Sequence, residues 1–138
     1  MRDPLVAQGT NPLSTELKQN YNQRKSALLA EADRMPDAEC AFNATPDTAT
    51  FGSRVAHVAD AQFMICSALK ASFDYCEGAY ASVTDSTATQ TVMIFGRPQT
   101  KLSALWGNLG HDEEMYGYMA VYLRLKNLVP PTSERRPK

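Results

Sequence analysis

The sequence predicts an all-α domain, a four-helix bundle, on three observations. Apolar residues return at helical spacing over long stretches, residues that start and stop helices stand at the ends of those stretches, and the whole chain has the size of one core. Its 138 residues make a single domain. With 43% hydrophobic and 21% charged residues it lies in the ordinary globular range. A formal charge of -1 argues against the dominant basic surface of a nucleic-acid binder. No apolar run approaches the ~20 residues of a membrane-spanning helix. Neither nucleic acid nor membrane is therefore expected as a partner.

The first helix opens at Asn11-Pro12, an N-cap followed by proline at the first helical position. Leu13, Leu17, Tyr21, Leu28, Ala32 and Met35 form its apolar stripe, and Pro36 ends it. Residues 36–49 read as a loop. Thr50 caps the second helix, whose face carries Phe51, Val55, Val58, Ala59, Phe63, Cys66 and Leu69. No stop signal follows until Gly78, so the pattern extends from Phe51 to about Ala81. Residues 82–99 read as a loop anchored by Val92-Met93-Ile94-Phe95, not as an independent strand. Thr100 caps the last helix, which carries Leu102, Leu105, Trp106, Leu109, Met119, Tyr122, Leu123 and Leu125 and stops at Asn127 and Pro130-Pro131. Gly107, Gly110 and Gly117 inside it suggest close approach of a neighbouring helix or a cleft wall. The bundle is expected over 11–131, with 1–10 and 132–138 as flexible tails; the second tail holds the basic Arg135, Arg136 and Lys138.

Two histidines exist, His57 and His111, both within helical stretches. Met115 follows His111 by one turn and shares its face. Asp60 lies near His57, and Asp112, Glu113 and Glu114 follow His111. Bundles commonly hold metals between side chains on facing helices, which makes the pair a candidate site, although helical histidines are more often surface or hydrogen-bonded core residues. Trp106, Tyr116, Tyr118 and Tyr122 are expected in the core, with Met64, Met93 and Met119 as gap-fillers.

The stretch from Thr50-Phe51-Gly52 to His57-Val58-Ala59-Asp60-Ala61-Gln62 resembles the second helix of the DinB-like metalloenzymes. His111-Asp112-Glu113-Glu114-Met115-Tyr116-Gly117, Tyr122-Leu123-Arg124-Leu125-Lys126 and Val129-Pro130-Pro131 resemble their last helix and its end. Asn11-Pro12-Leu13-Ser14 and the Phe95-Gly96-Arg97 turn fit the same family. The resemblance implies a four-helix bundle holding a divalent metal, zinc or nickel, on three histidines. His57 matches the first ligand and His111 the second, and Met115 stands where the third would be. A thioether is a poor ligand for zinc or nickel and suits only soft ions such as Cu(I). Asp60 or Glu114 could take its place. The implied chemistry is that of a metal-dependent hydrolase or a thiol transferase, with a small molecule or thiol as ligand. The alternative is a relative that has lost the metal and keeps the cleft for a small molecule or serves as a structural dimer.

Relatives place a long crossover between the second and third helices, and here Cys66-Ser67-Ala68 passes directly into Leu69 to Cys76, which resembles the third helix. Three arrangements fit: a segment missing from the sequence, shifted helix boundaries, or one fused rod that sends the third helix into a second copy. The rod would give a domain-swapped homodimer. On a rod, Cys66 and Cys76 stand about 15 Å apart and cannot be bridged; on adjacent helices they can meet. The three cysteines, with Cys40, therefore read either as thiols or as one disulfide and a free thiol. The location is either cytoplasmic or exported: exported relatives begin near a segment like Asn11-Pro12-Leu13, and residues before it read as a signal-peptide remnant.

Overall fold

The computed structural model describes residues 11–69 and 76–134. Outside them lie the tail 1–10, the junction 70–75, the basic residues Arg135, Arg136 and Lys138, and also the Cys66 and Leu69 side chains. Among the described residues four helices build the domain: α1 (Pro12–Arg34), α2 (Phe51–Leu69), α3 (Cys76–Ser82) and α4 (Lys101–Leu125). Short 3-10 turns occupy Asp37–Glu39 and Pro131–Ser133. No helix among the described residues is long and apolar enough to cross a membrane.

The helix ends follow the sequence. Thr50 and Thr100 each accept a hydrogen bond from the backbone N–H three residues on, Ser53 (3.2 Å) and Ser103 (3.1 Å). Asn127 adopts a positive φ of 59°, and the Leu128 N–H returns to the Leu123 carbonyl at 2.9 Å, which closes α4. The start of α1 differs. Asn11 does not cap its own helix with its side chain. Instead Asp85 accepts from the N–H groups of Leu13 (3.1 Å) and Ser14 (2.8 Å), while Asn11 Oδ1 accepts from the Asp85 N–H at 3.0 Å. This exchange pins the chain after α3 to the start of α1.

The second and third helices are not one rod. On a continuous helix Gln62 and Cys76 would stand about 21 Å apart at ~1.5 Å per residue. Here Cys76 Sγ lies 3.4 Å from the Gln62 carbonyl oxygen, so α3 packs back against α2 of the same chain. The domain swap that the rod would have required has no basis in this packing. Cys76 is disulfide-bonded and Cys40 is a free thiol, the second of the two readings.

Residues 91–100 also depart from the expected loop. β1 (Thr91–Ile94) pairs antiparallel with β2 (Arg97–Thr100), joined by Phe95 (φ 50°) and Gly96 (φ 73°). Two consecutive positive φ values make the tight turn whose twist suits a hairpin. Ile94 alone of the strand is buried, and so short an apolar alternation concealed a strand in a polar stretch.

Among the described residues the core has two levels, both built on α4. Leu17, Tyr21, Ala79, Tyr80, Leu105 and Leu109 form one. Leu28, Met35, Phe51, Met119, Tyr122 and Leu123 form the other. Complete burial of a side chain such as Leu105 or Leu123 contributes about 1.5–3 kcal/mol. Several expected core residues lie outside it. Trp106 is 63% exposed, and Leu13, Phe63, Met64, Met93, Tyr118 and Leu125 are exposed as well. The glycines of α4 line no close approach: a Cβ at Gly107, Gly110 or Gly117 would meet nothing within 4 Å.

Candidate metal centre and the adjoining cavity

α2 presents one stripe to α4, made of His57 and the buried Ala61 and Ile65, each four residues on. That register brings the two histidines together. His57 Nε2 and His111 Nε2 are 3.1 Å apart, with ring centroids at 5.0 Å and planes inclined by 66°. Two ligands at ~2.0–2.1 Å from a tetrahedral ion would be roughly 3.3–3.4 Å apart, so the pair already has nearly the spacing of two corners of such a site. His57 is exposed to solvent, whereas His111 is half-buried. Burial first, and then the neighbouring His57, push the His111 imidazole below its ordinary pKa against the opposing pull of Glu114. A neutral ring keeps the lone pair that a ligand or hydrogen-bond acceptor needs.

Met115 is 4% exposed, one turn beyond His111. The acidic residues expected as substitutes are engaged elsewhere or absent from the site. Glu113 pairs with Arg24 at 2.5 Å, Glu114 accepts from the Tyr118 hydroxyl at 3.1 Å, and Asp60 is exposed. Among the described residues no group of three His, Cys, Asp or Glu side chains could hold a metal ion. His111 Nδ1 is buried without a hydrogen-bond partner, so no carboxylate or carbonyl fixes the ring behind the site. Two imidazoles and a thioether thus do not fit the three-histidine divalent centre that the resemblance implies.

The tyrosines divide. Tyr122 is buried and donates to the Ala49 carbonyl at 2.5 Å. Tyr116 bonds Thr132 at 2.5 Å, which fastens the C-terminal 3-10 turn to α4. Tyr118 is exposed beneath the Arg54 guanidinium.

A second connection between α2 and α4 escaped the sequence reading. Gln62 Nε2 donates to both oxygens of the fully buried Asp112, at 3.0 and 2.9 Å. Gln62 Oε1 accepts from the Tyr21 hydroxyl at 3.3 Å. Asn108 Nδ2 donates to the Tyr80 hydroxyl at 3.2 Å, and Tyr80 donates to the Leu105 carbonyl at 2.9 Å. Tyr21 and Tyr80 stack with centroids 4.0 Å apart. The cluster draws one or more members from every helix. Burial pushes the Asp112 carboxyl up to about 7 against the lowering effect of Gln62, and it raises both phenols, which remain donors. Asp112 stands seven residues after Leu105 and seven before Met119, so a polar residue in the apolar register was the signal available.

Gln62 and Tyr21 also reach the wall of a cavity of about 410 Å³ between α1 and α2. Leu28, Val55, Val58 and Met119 make its apolar lining, and the Lys25–Glu77 ion pair (2.6 Å) lies at its edge. The histidines are not part of this wall.

No family model matches the sequence, and no curated protein matches it. Among solved structures, the chain is similar to the crystal structure of a DinB-like protein from Bacillus cereus ATCC 10987. The two share 20% sequence identity and superpose with a TM-score of 0.71 over 85% of this chain and 95% of that one. With its all-α architecture, this likeness establishes the DinB-like fold for the chain.

Proposed function

We propose that the chain is a DinB-like bundle that binds a metal ion through His57 and His111 at the seam of α2 and α4. The observation that carries this reading is the 3.1 Å approach of the two Nε2 atoms, which the α2–α4 register produces. A hydrolase or thiol transferase of the kind the resemblance implies would need a third protein ligand of the usual type. The donor set supports metal capture better than it supports that chemistry. Elemental analysis of the purified chain and of His57→Ala tests the reading. About one equivalent in the parent and a loss of roughly tenfold or more in the variant are expected for a site with so few ligands. Equal metal content in both would refute it. His57 is exposed, so its replacement leaves the core intact.

The apolar cavity favours a second role, the binding of a small apolar molecule between α1 and α2. An environment-sensitive apolar dye should fluoresce on binding to the parent, and the signal should fall severalfold in Val58→Trp, where the indole fills the cavity. Unchanged dye binding in that variant would remove this role. The two tests address different walls of α2 and fail independently.

A further inference from the structure

We infer that the cavity takes a linear monocarboxylate of about eight carbons, its chain between α1 and α2 and its carboxylate on Lys25. This ligand class rests on the apolar-ligand role above and adds to it the head group and the length. The wall is sorted from end to end. At one end the Tyr21 hydroxyl donates to Gln62; at the other, Leu28 and Ala32 of α1 pack in one cluster with Val55 and Val58 of α2. The two helices thus run antiparallel along the cavity. Lys25 stands one turn beyond Tyr21, and the contact of Cys76 Sγ with the Gln62 carbonyl brings the neighbouring Glu77 to the same end. Polar lining therefore gathers at the first end, and Met119 of α4 joins the apolar second. From Lys25 to Ala32, α1 rises roughly 10 Å at ~1.5 Å per residue. An extended chain of about eight carbons has roughly that length at ~1.5 Å per bond. The volume of about 410 Å³ falls near the lower end of the ~300–1,000 Å³ of small-molecule sites.

The head group follows from charge. Among the described residues Lys25 is the cation of the wall and Glu77 its anion, paired at 2.6 Å. The Lys25 side chain is 39% exposed and that of Glu77 63%, so the cation is the more enclosed of the two. A pair so exposed is weak and gives way to a better placed anion. The hydrogen bond to Lys25 and that cation's charge hold Glu77 below the ordinary carboxylate range, and Lys18 adds to the pull. A second cation thus remains for Glu77 once Lys25 turns to a ligand. Asp112 also lies near, but both its oxygens accept from Gln62 and it is not part of the wall. Two cations against one anion at this end select a carboxylate over an ammonium.

Calorimetric titration of the full chain at pH 8 with octanoate, octan-1-ol and octylammonium tests the site. Octanoate should bind roughly tenfold more tightly than octan-1-ol, and octylammonium more weakly than either. Lys25→Met keeps an aliphatic stem and should bring octanoate down to the level of octan-1-ol, whose own affinity stays unchanged. Glu77→Gln frees Lys25 from its partner and should tighten octanoate severalfold, again without changing octan-1-ol. A merely structural ion pair would move both variants in the same direction. Circular dichroism checks that each variant keeps the fold. Octanoate and octan-1-ol bound alike, with binding of both lost in Val58→Trp, overturns the carboxylate head and leaves the apolar cavity standing. Octylammonium bound more tightly than octanoate overturns it too. Binding of none of the three, or binding indifferent to Val58→Trp, overturns the head group and the cavity together.

Discussion

At pH 8 the Glu31→Met variant should melt roughly 10 °C above the parent chain, a gain on the order of 3 kcal/mol. Glu31 is fully buried on α1, and neither carboxylate oxygen has a hydrogen-bond partner. Burial pushes its pKa up to about 8, although the nearby Arg24 charge pulls it down. A folded-state pKa above the unfolded one means that the native state holds the proton longer. Stability therefore falls as pH rises from the ordinary carboxyl range to about 8, and the full penalty applies above that window. Methionine removes the carboxylate and fills similar space. Arg24 keeps its 2.5 Å pairing with Glu113, so the substitution leaves no cation alone. Asp112, raised to about 7, retains a smaller slope of the same sign in the variant. Thermal melts from pH 4 to 9 measure both effects. A variant that melts no higher than the parent at pH 8, with the parent's pH slope intact, would show that Glu31 has found partners in solution.

The fold was legible wherever periodicity and end signals agreed. Thr50, Thr100 and Asn127 mark helix boundaries by local chemistry, and the structure uses all three. Asn11 and Pro12 mark the right place, yet the cap itself comes from Asp85, more than seventy residues away, which no local pattern reveals. Apolar identity overstated burial at Trp106, Phe63 and Met93, since one domain has too little polar surface to cover its exterior. It understated the value of polar residues inside. Asp112, Asn108 and Glu31 occupy core registers, and a search for apolar stripes passes over them. The resemblance singled out His57 and His111, and the structure places their Nε2 atoms 3.1 Å apart. The cavity was invisible in sequence because its walls are assembled from residues of all four helices, not from any residue motif.

Asp112→Ala should lower stability by about 3 kcal/mol or more, while Asp112→Asn should cost only about 1–2 kcal/mol. Alanine leaves the Gln62 amide without its acceptor and opens space where a fully buried side chain stood. Asparagine keeps the shape and can be accommodated if Gln62 turns its amide over. Gln62 Oε1 then accepts from the new amide, and Gln62 Nε2 donates to the Tyr21 hydroxyl in reversed polarity. The contrast between the two variants measures the network rather than the charge, and urea unfolding at pH 6 reads it. Equal losses in both variants would mean that the carboxyl group itself, and not a rearranged set of amide donors, holds α2 to α4. The same seam carries His57 opposite His111, about one and a half turns from Gln62 along α2. Slackening it in Asp112→Ala should therefore weaken metal retention by roughly tenfold, and Asp112→Asn should restore it. Restored stability without restored metal retention would separate the two connections. Metal retention unchanged in Asp112→Ala, despite its lost stability, would show that the histidines keep their 3.1 Å approach independently of the buried network.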